Sequence, residues 1–187
     1  VDAARLLLEK GAEVDRAMND GTTPLYVACQ QGHVDAVRLL LEKGVDVDRA
    51  DKYDQTPLFV ACDEGLADVA RLLLDNGAEI DREKEEDGRT PLYNACFEGH
   101  VDVVRLLLEK GVDVDRPNNK GQTPLHVACR KGRITTLQVL LENGAWVDPA
   151  DNIGHTPLHY ACQEGYSEPV QLLLDRGADE FRPSNRG

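Results

Sequence analysis

The sequence predicts an all-α solenoid built from stacked pairs of helices. Each copy of its repeat contains an aromatic residue or histidine, then Ala-Cys, then a glycine three residues after the cysteine, and later a Leu-Leu pair before another glycine. A fixed period of this length is typical of repeat proteins, in which each unit packs only against its neighbours. The copies begin with Thr-Pro-Leu at intervals of 33, 34, 33 and 33 residues, at Thr23, Thr56, Thr90, Thr123 and Thr156.

Each unit is predicted to hold a turn, a first helix, a break and a second helix. In the first full copy, the turn falls near Gly21 and the first helix begins at Thr23, because threonine is a good N-cap and the proline after it is favoured in a first helical turn. Gly32 breaks the helix, and the second helix ends before Gly44. One apolar face of the second helix is formed by Val34, Val37, Leu40 and Leu41.

These motifs resemble the ankyrin repeat. The likeness is carried by Thr-Pro-Leu-His-Val-Ala at 123–128 and by Gly-His-Val-Asp-Val-Val-Arg-Leu-Leu-Leu at 99–108, and it covers nearly the whole chain. The resemblance implies an all-α ankyrin-repeat solenoid of stacked helix-turn-helix units with projecting β-hairpin loops. It also implies that the first helices and the hairpin tips line a concave face, and that His126 and His159 bond to the loop.

The chain is expected to form one ankyrin-repeat domain over residues 1–187. The opening residues 1–8 match a second helix that lacks its first helix, which suggests a fragment of a longer protein or a deliberate cap. The predicted boundaries are 1–18 for this partial repeat, then 19–51, 52–84, 85–118, 119–151 and 152–187 for repeats 1 to 5, the last being also the C-terminal cap.

Two departures from the pattern predict changes in the loops before the first helices. Asp54 stands where the other copies have a turn glycine, and aspartate is among the few residues that tolerate that backbone conformation. One extra residue lies within 82–87, so this loop is expected to be longer than its neighbours.

Charge and hydropathy exclude several classes of partner. The formal net charge is -13 at pH 7, and an acidic surface repels nucleic-acid phosphates and anionic lipids. No apolar run approaches the roughly 20 residues that span a bilayer, and the first residues lack the layout of a signal peptide. Neither nucleic acid nor membrane insertion is therefore expected, and the predicted location is intracellular, in the cytoplasm or the nucleus.

The cysteines are predicted to be structural. Equivalent positions in stacked helices lie about 10 Å apart, whereas a disulfide needs Cα atoms within about 7 Å. Cys29 and His33 have a metal-ligand spacing, but a glycine lies between them and three copies lack the histidine, so no metal or other cofactor is expected. One cysteine occurs in each repeat, always after alanine: Cys29, Cys62, Cys96, Cys129 and Cys162.

No enzymatic activity is predicted. Once the repeat is subtracted, the sequence contains no phosphate-binding glycine loop, nucleophile elbow or unique pair of acids. The position after Thr-Pro-Leu holds tyrosine, phenylalanine or histidine in different copies, and a catalytic residue would not vary in step with a repeat.

Recognition is expected at exposed positions where the copies differ, because the invariant positions hold the fold. Such positions are the loop tips, the residue before each Thr-Pro-Leu, the end of each first helix, and the only tryptophan, which replaces an acid. The predicted partner-binding residues are Tyr53, Gln55, Asp63, Glu64, Glu86, Asp87, Arg89, Phe97, Lys120, Arg130, Lys131, Trp146, Ile153 and His155.

Three features of this set suggest how a partner binds. Tyr53 and Phe97 are predicted to be exposed aromatic anchors. Repeats 2 and 3 carry mostly acids and repeat 4 carries bases, which indicates a bipolar groove that suits a partner with basic residues beside acidic ones. Trp146 is expected to contact a partner, a neighbouring domain or the adjacent hairpin.

The leading hypothesis is a monomeric, non-catalytic module or scaffold that binds a segment of another protein through its concave face and hairpin tips. Two alternatives stay open: a targeting or regulatory domain of a larger multidomain enzyme or channel, and a structural spacer without affinity for a partner. The identity of the partner does not follow from the sequence, because one fold serves many partners.

Overall fold

The computed structural model describes residues 14–181, which contain ten α-helices in five consecutive pairs. The first and second helices of the pairs are α1 (Pro24–Gln30) and α2 (Val34–Glu42), α3 (Pro57–Asp63) and α4 (Ala67–Asp75), α5 (Pro91–Glu98) and α6 (Val101–Glu109), α7 (Pro124–Arg130) and α8 (Ile134–Glu142), and α9 (Pro157–Glu164) and α10 (Ser167–Asp175). The helix-turn-helix unit is thus confirmed five times. The predicted half repeat at 1–18 lies mostly outside the described residues.

Each first helix begins at its proline because the threonine before it is an N-cap. In repeats 1 to 3, the threonine Oγ1 accepts a hydrogen bond from the backbone N–H three residues later, at 3.1 Å in each case. In repeats 4 and 5, that third residue is a histidine whose Nδ1 accepts the threonine N–H in return, which completes a capping box.

The core runs along the stack, because each first helix packs against its own second helix and against the first helix of the next repeat. The leucine of Thr-Pro-Leu is fully buried in repeats 1 to 4, at Leu25, Leu58, Leu92 and Leu125. Burying one such side chain stabilises the fold by about 1.5–3 kcal/mol. Stability therefore accumulates from every interface between neighbouring repeats.

The cysteines of repeats 1 to 4 fill contacts between helices, as predicted. Cys29, Cys62, Cys96 and Cys129 are fully buried free thiols. Burial raises the pKa of the Cys29 thiol to about 12, so it stays protonated at neutral pH. Cys162 is an exposed free thiol, because no helix among the described residues packs over that side of α9.

A ladder of aspartates joins each repeat to the next. Each carboxylate accepts a hydrogen bond from the backbone N–H of a residue 31 or 32 positions later, at distances of 2.9 to 3.5 Å. These bonds satisfy loop amides that the helices cannot reach, and they fix the register between repeats. The ladder consists of Asp15, Asp48, Asp81, Asp115 and Asp148.

The loop before each first helix projects from the stack, and we call this loop a finger. Fingers 1 to 5 comprise residues 18–22, 51–55, 84–89, 118–122 and 151–155, and in each the first residue donates its N–H to the carbonyl of the last at 2.9 to 3.1 Å. The predicted projecting loops are therefore present. Within residues 14–181 they consist of turns and contain no strand, because one closing bond does not make a ladder.

Both predicted departures in the fingers are confirmed. In finger 3 the turn spans one more residue, since the Gly88 N–H bonds to the Lys84 carbonyl four positions back, whereas the Gly21 N–H bonds to Met18 three back. Asp54 has φ of 57° and is the only non-glycine residue with positive φ among those described. Its carboxylate accepts the N–H of Glu85 at 2.9 Å and so joins fingers 2 and 3.

We expect Gly88→Ala to destabilise the protein by about 1 to 3 kcal/mol more than Gly144→Ala. Both glycines have positive φ, 70° and 86°, so both variants incur the left-handed backbone cost of roughly 1–2 kcal/mol. A Cβ at Gly88 would also lie 2.8 Å from the Asn119 backbone nitrogen, whereas a Cβ at Gly144 would meet nothing within 4 Å. Urea unfolding of the two variants measures the difference, and equal losses would contradict close packing of fingers 3 and 4.

His126 illustrates how a buried imidazole replaces the tyrosine or phenylalanine of other repeats. Its Nδ1 accepts the Thr123 N–H at 3.0 Å, so the proton lies on Nε2, which donates to the His155 carbonyl at 3.1 Å. This bond to the loop confirms what the family resemblance implied. Burial lowers the pKa of His126 from 6.5 to about 4, because a charged imidazole would be desolvated.

The lowered pKa predicts a loss of stability in mild acid. Well above pH 6.5, His126 is neutral in both the folded and the unfolded protein, and its contribution to the free energy of unfolding does not depend on pH. As the pH falls from 6.5 towards 4, His126 becomes protonated in the unfolded chain but stays neutral in the folded protein. The free energy of unfolding should therefore fall by about 2 kcal/mol between pH 7.5 and pH 5 from this residue. In His126→Tyr, which copies the residue at Tyr26 and Tyr93, this part of the loss should disappear.

Carboxylates titrate in the same range in both proteins, so the measured quantity is the difference between their pH profiles. Urea unfolding at pH 7.5, 6.5, 5.5 and 5.0 gives it. Parallel profiles for the wild type and His126→Tyr would show that His126 is protonated in the folded state at these pH values.

Candidate functional site

The groove is the surface formed by the finger tips and the C-terminal ends of the first helices. A pocket of about 140 Å³ lies in this groove between fingers 3 and 4. Five of the predicted partner-binding residues line this pocket: Glu86, Asp87, Arg89, Lys120 and Arg130. The structure thus brings together residues that the sequence places in two repeats and in three different rows.

A hydrogen-bonded network starts from two residues that line the pocket, Tyr93 and Gln122. The Tyr93 hydroxyl donates to Gln122 Oε1 at 3.3 Å, and Gln122 Nε2 donates to the Tyr160 hydroxyl at 2.7 Å. The Tyr160 hydroxyl in turn donates to Asp151 Oδ2 at 2.8 Å. Because all four side chains are buried, this network holds fingers 4 and 5 and the first helices α5 and α9 in a fixed arrangement.

Cations lie over aromatic rings along one side of the pocket. The Arg89 guanidinium lies 5.7 Å from the centre of the Tyr93 ring and 5.6 Å from that of Phe97. The Lys131 ammonium lies 4.2 Å from the Phe97 centre, and the Arg130 guanidinium lies 5.9 Å from the Tyr160 centre. Such contacts position each cation without neutralising its charge.

The cationic cluster, defined as Arg89, Lys120, Arg130 and Lys131, is almost free of acidic partners. Arg89 Nε lies 3.0 Å from Asp87 Oδ2 in an ion pair, although its N–H direction departs from hydrogen-bond geometry. Among the described residues, no Asp or Glu oxygen lies within 4.0 Å of the other three cations. Three positive charges therefore face the groove unpaired.

The acidic cluster, defined as Asp63, Glu64 and Glu98, lies in the neighbouring part of the groove. The Asp63 carboxylate accepts a hydrogen bond from the Asn94 amide, and its backbone carbonyl contacts His100 Nε2 at 2.8 Å. Burial raises the pKa of Asp63, and the like charges of Glu98 and Glu64 raise it further. In the part of the chain that the structure describes, no lysine or arginine nitrogen pairs with these three carboxylates.

Phe97 differs from the prediction of an exposed aromatic anchor. Its side chain is half-buried and packs against the core, with Arg89 and Lys131 over the ring. The cause is the next repeat, whose Lys131 covers a position that would be open in a single helix pair. Truncation of Phe97 would consequently cost stability as well as groove surface.

Other predicted residues divide into exposed and structural positions. Tyr53 and Trp146 are each 60% exposed, and Ile153 is 37% exposed. Gln55 is half-buried, and its Oε1 accepts the Tyr26 hydroxyl at 3.1 Å. His155 is half-buried as well, and its ring stacks on His159 with 5.4 Å between centres.

Trp146 lies apart from the pocket. Its backbone N–H is held by the Asp115 carboxylate at 3.1 Å as part of the aspartate ladder, and its ring is largely exposed. Tyr53 is likewise not among the residues that line the pocket, and Lys52 lies 4.8 Å from its ring centre.

Four further residues line the pocket: Tyr93, Asn118, Asn119 and Gln122. The sequence interpretation placed Asn119 among the loop tips and Gln122 in the row before Thr-Pro-Leu, but it missed Tyr93 and Asn118. Tyr93 and Asn118 occupy positions of the repeat itself, where a structural role is expected. The sequence does contain a signal for Tyr93: a glutamine, Gln122, follows it 29 residues later, as Gln55 follows Tyr26. In both cases the tyrosine hydroxyl donates a hydrogen bond to the glutamine Oε1 of the next repeat.

Neither a metal site nor a spanning helix is found within residues 14–181. No group of three or more His, Cys, Asp or Glu side chains there could hold a metal ion. None of the helices in that range has the length and apolar character needed to cross a membrane.

Comparison with known families agrees with the geometry. A family model described as ankyrin repeats, in three copies, matches residues 1–84, 81–151 and 117–182. Comparison with curated proteins found no match. Since the family model spans nearly all of the chain, and the five stacked helix pairs have the matching architecture, the chain belongs to the ankyrin-repeat family, whose members generally serve as non-catalytic protein–protein interaction modules.

Proposed function

We propose that this protein is a binding module that holds a segment of a partner protein in the groove between the fingers and the first helices. The observation that carries the proposal is the convergence of Glu86, Asp87, Arg89, Lys120 and Arg130 on one pocket. These are positions where the repeats differ, and of the five side chains that of Asp87 also has a role in the fold, since it accepts the Arg89 backbone N–H at 3.1 Å.

The energetics of the cationic cluster support the proposal. Lys120, Arg130 and Lys131 repel one another and have no carboxylate within 4.0 Å among the described residues, although the chain carries 34 acidic residues. The fold therefore leaves these three charges without an intramolecular ion pair among the described residues. A partner that supplies negative charge would gain from it in both affinity and association rate.

The shape of the site favours a protein segment over a small molecule. A pocket of about 140 Å³ is smaller than the roughly 300–1,000 Å³ typical of small-molecule sites. The charged surface continues from this pocket to the acidic cluster near Asp63, so a ligand that uses both must be elongated.

We expect the double variant Lys120→Glu with Arg130→Glu to capture at least about fivefold less partner than the wild type from an extract of cells that express the protein. Immobilised protein and quantitative mass spectrometry give the measurement. Arg105→Glu is the matched control, because Arg105 is exposed on α6 and lies outside the groove.

Thermal unfolding accompanies the capture experiment, and the variants should melt within about 3 °C of the wild type. Proteins captured equally by the wild type, the double variant and Arg105→Glu would show that the groove does not bind them. If no protein depended on the groove, the proposed function would be wrong.

A further inference from the structure

One row of the groove places three different chemical groups in a line. Each first helix contributes the residue directly after its buried cysteine, and in repeats 2, 3 and 4 these residues are Asp63, Phe97 and Arg130. They occur at intervals of 34 and 33 residues and therefore occupy the same position in successive units. Along the groove the row reads acid, aromatic, base.

The spacing of this row follows from the stacking. Neighbouring packed helices lie about 10 Å apart, so Asp63 and Arg130 are separated by about 20 Å, with Phe97 between them. An extended peptide advances about 3.3 Å per residue, so about three residues cover each step.

Resting on the proposed function, we infer that the groove binds an extended peptide segment in which a basic, an apolar and an acidic side chain follow one another about three residues apart, opposite Asp63, Phe97 and Arg130. The basic side chain of the peptide would thus lie opposite Asp63, the apolar one opposite Phe97 and the acidic one opposite Arg130.

The acidic side chain of the partner would lie against Arg130, whose side chain is already held in place. Arg130 is half-buried and lies 5.9 Å from the Tyr160 ring centre, and it lines the pocket together with Lys120 and Arg89. A carboxylate placed there would face three cations, of which only Arg89 already has an acidic partner, and two acids, Glu86 and Asp87, of which Asp87 is that partner. Because Arg130 is partly desolvated and held in place, such a pair would be stronger than one between two freely exposed side chains.

The central and the basic side chains have matching contacts. The Phe97 ring is half-buried, with the Arg89 guanidinium and the Lys131 ammonium over it, and its exposed part offers the apolar surface of the row. The carboxylates of Asp63, Glu64 and Glu98 offer three negative charges without a lysine or arginine partner among the described residues. The raised pKa of Asp63 reflects burial first and then their mutual repulsion, which a bound ammonium or guanidinium would relieve.

A peptide library tests the inference. The probes are acetylated and amidated nine-residue peptides on a serine background, with lysine, leucine or aspartate in all combinations at the second, fifth and eighth positions. Their affinities for the full chain are ranked by fluorescence polarisation. We expect the wild type to prefer the two charge-separated orders, Lys-Leu-Asp or its reverse, over Lys-Leu-Lys and Asp-Leu-Asp by about tenfold.

The decisive arm is a change in preference. Arg130→Glu should turn the ranking towards Lys-Leu-Lys, whereas Arg105→Glu should leave the wild-type order unchanged. Arg130→Gln removes the charge without adding an acid. It should abolish the preference for aspartate at the peptide end opposite Arg130 and leave the preference for lysine at the other end. This variant replaces Arg130→Glu in the test if Arg130→Glu does not fold. A flat ranking for the wild type, or the same ranking for the wild type and both Arg130 variants, would overturn the inference.

The two proposals fail in different ways. If the library shows no preference while the double variant Lys120→Glu with Arg130→Glu still loses a protein captured from extract, the groove binds a segment of another chemistry. If capture is insensitive to both charge reversals, the binding function itself is wrong.

Discussion

Packing of each first helix against the first helix of the next repeat is the contact on which the rest of the molecule depends. The leucine of Thr-Pro-Leu and the cysteine four residues later are completely buried in repeats 1 to 4, and both belong to the apolar core that runs along the stack. A solenoid has no single centre, so one poorly packed interface would weaken the link between two halves of the stack. The positions that face it therefore tolerate little change in volume.

Polar contacts convert this packing into one register. The ladder from Asp15 to Asp148 joins loops on successive repeats, and backbone bonds such as Lys52 N–H to the Asp20 carbonyl join successive fingers. Apolar faces alone would allow neighbouring units to slide, because burial is not directional. These bonds also fix the shape of the groove, because they hold the finger tips of successive repeats in place relative to the ends of the first helices.

The repeat pattern predicted most of the fold, because each described first helix begins after a threonine N-cap and each described helix is followed within two residues by a glycine of positive φ. The first helix expected at Thr23 begins at Pro24 with Thr23 as its cap. The turn residue Asp54 has positive φ, as do the glycines at the equivalent position of the other fingers. The candidate site was less predictable. Phe97 is covered by Lys131 from the next repeat, and the chain of bonds from Tyr93 to Asp151 crosses two repeat boundaries. Burial and hydrogen bonding between units depend on the stacked geometry, which one period of sequence does not contain.

The separation of fold and recognition also explains how a strongly acidic chain can keep a cationic cluster. Arg89, Arg130 and Lys131 lie over Tyr93, Tyr160 and Phe97, and the aromatic faces stabilise the cations without supplying a counter-charge. If carboxylates stood in place of these aromatic rings, they would neutralise the cations. The side chains would lose the same conformational entropy, but they would offer no net charge to a partner. The rings therefore hold the cationic side chains in place, and their charges are left without a counter-charge from these contacts. Because each repeat contributes one position to the row, a change at one of them would alter one contact with the proposed peptide and leave the neighbouring contacts in place, as expected for a stack of nearly independent units.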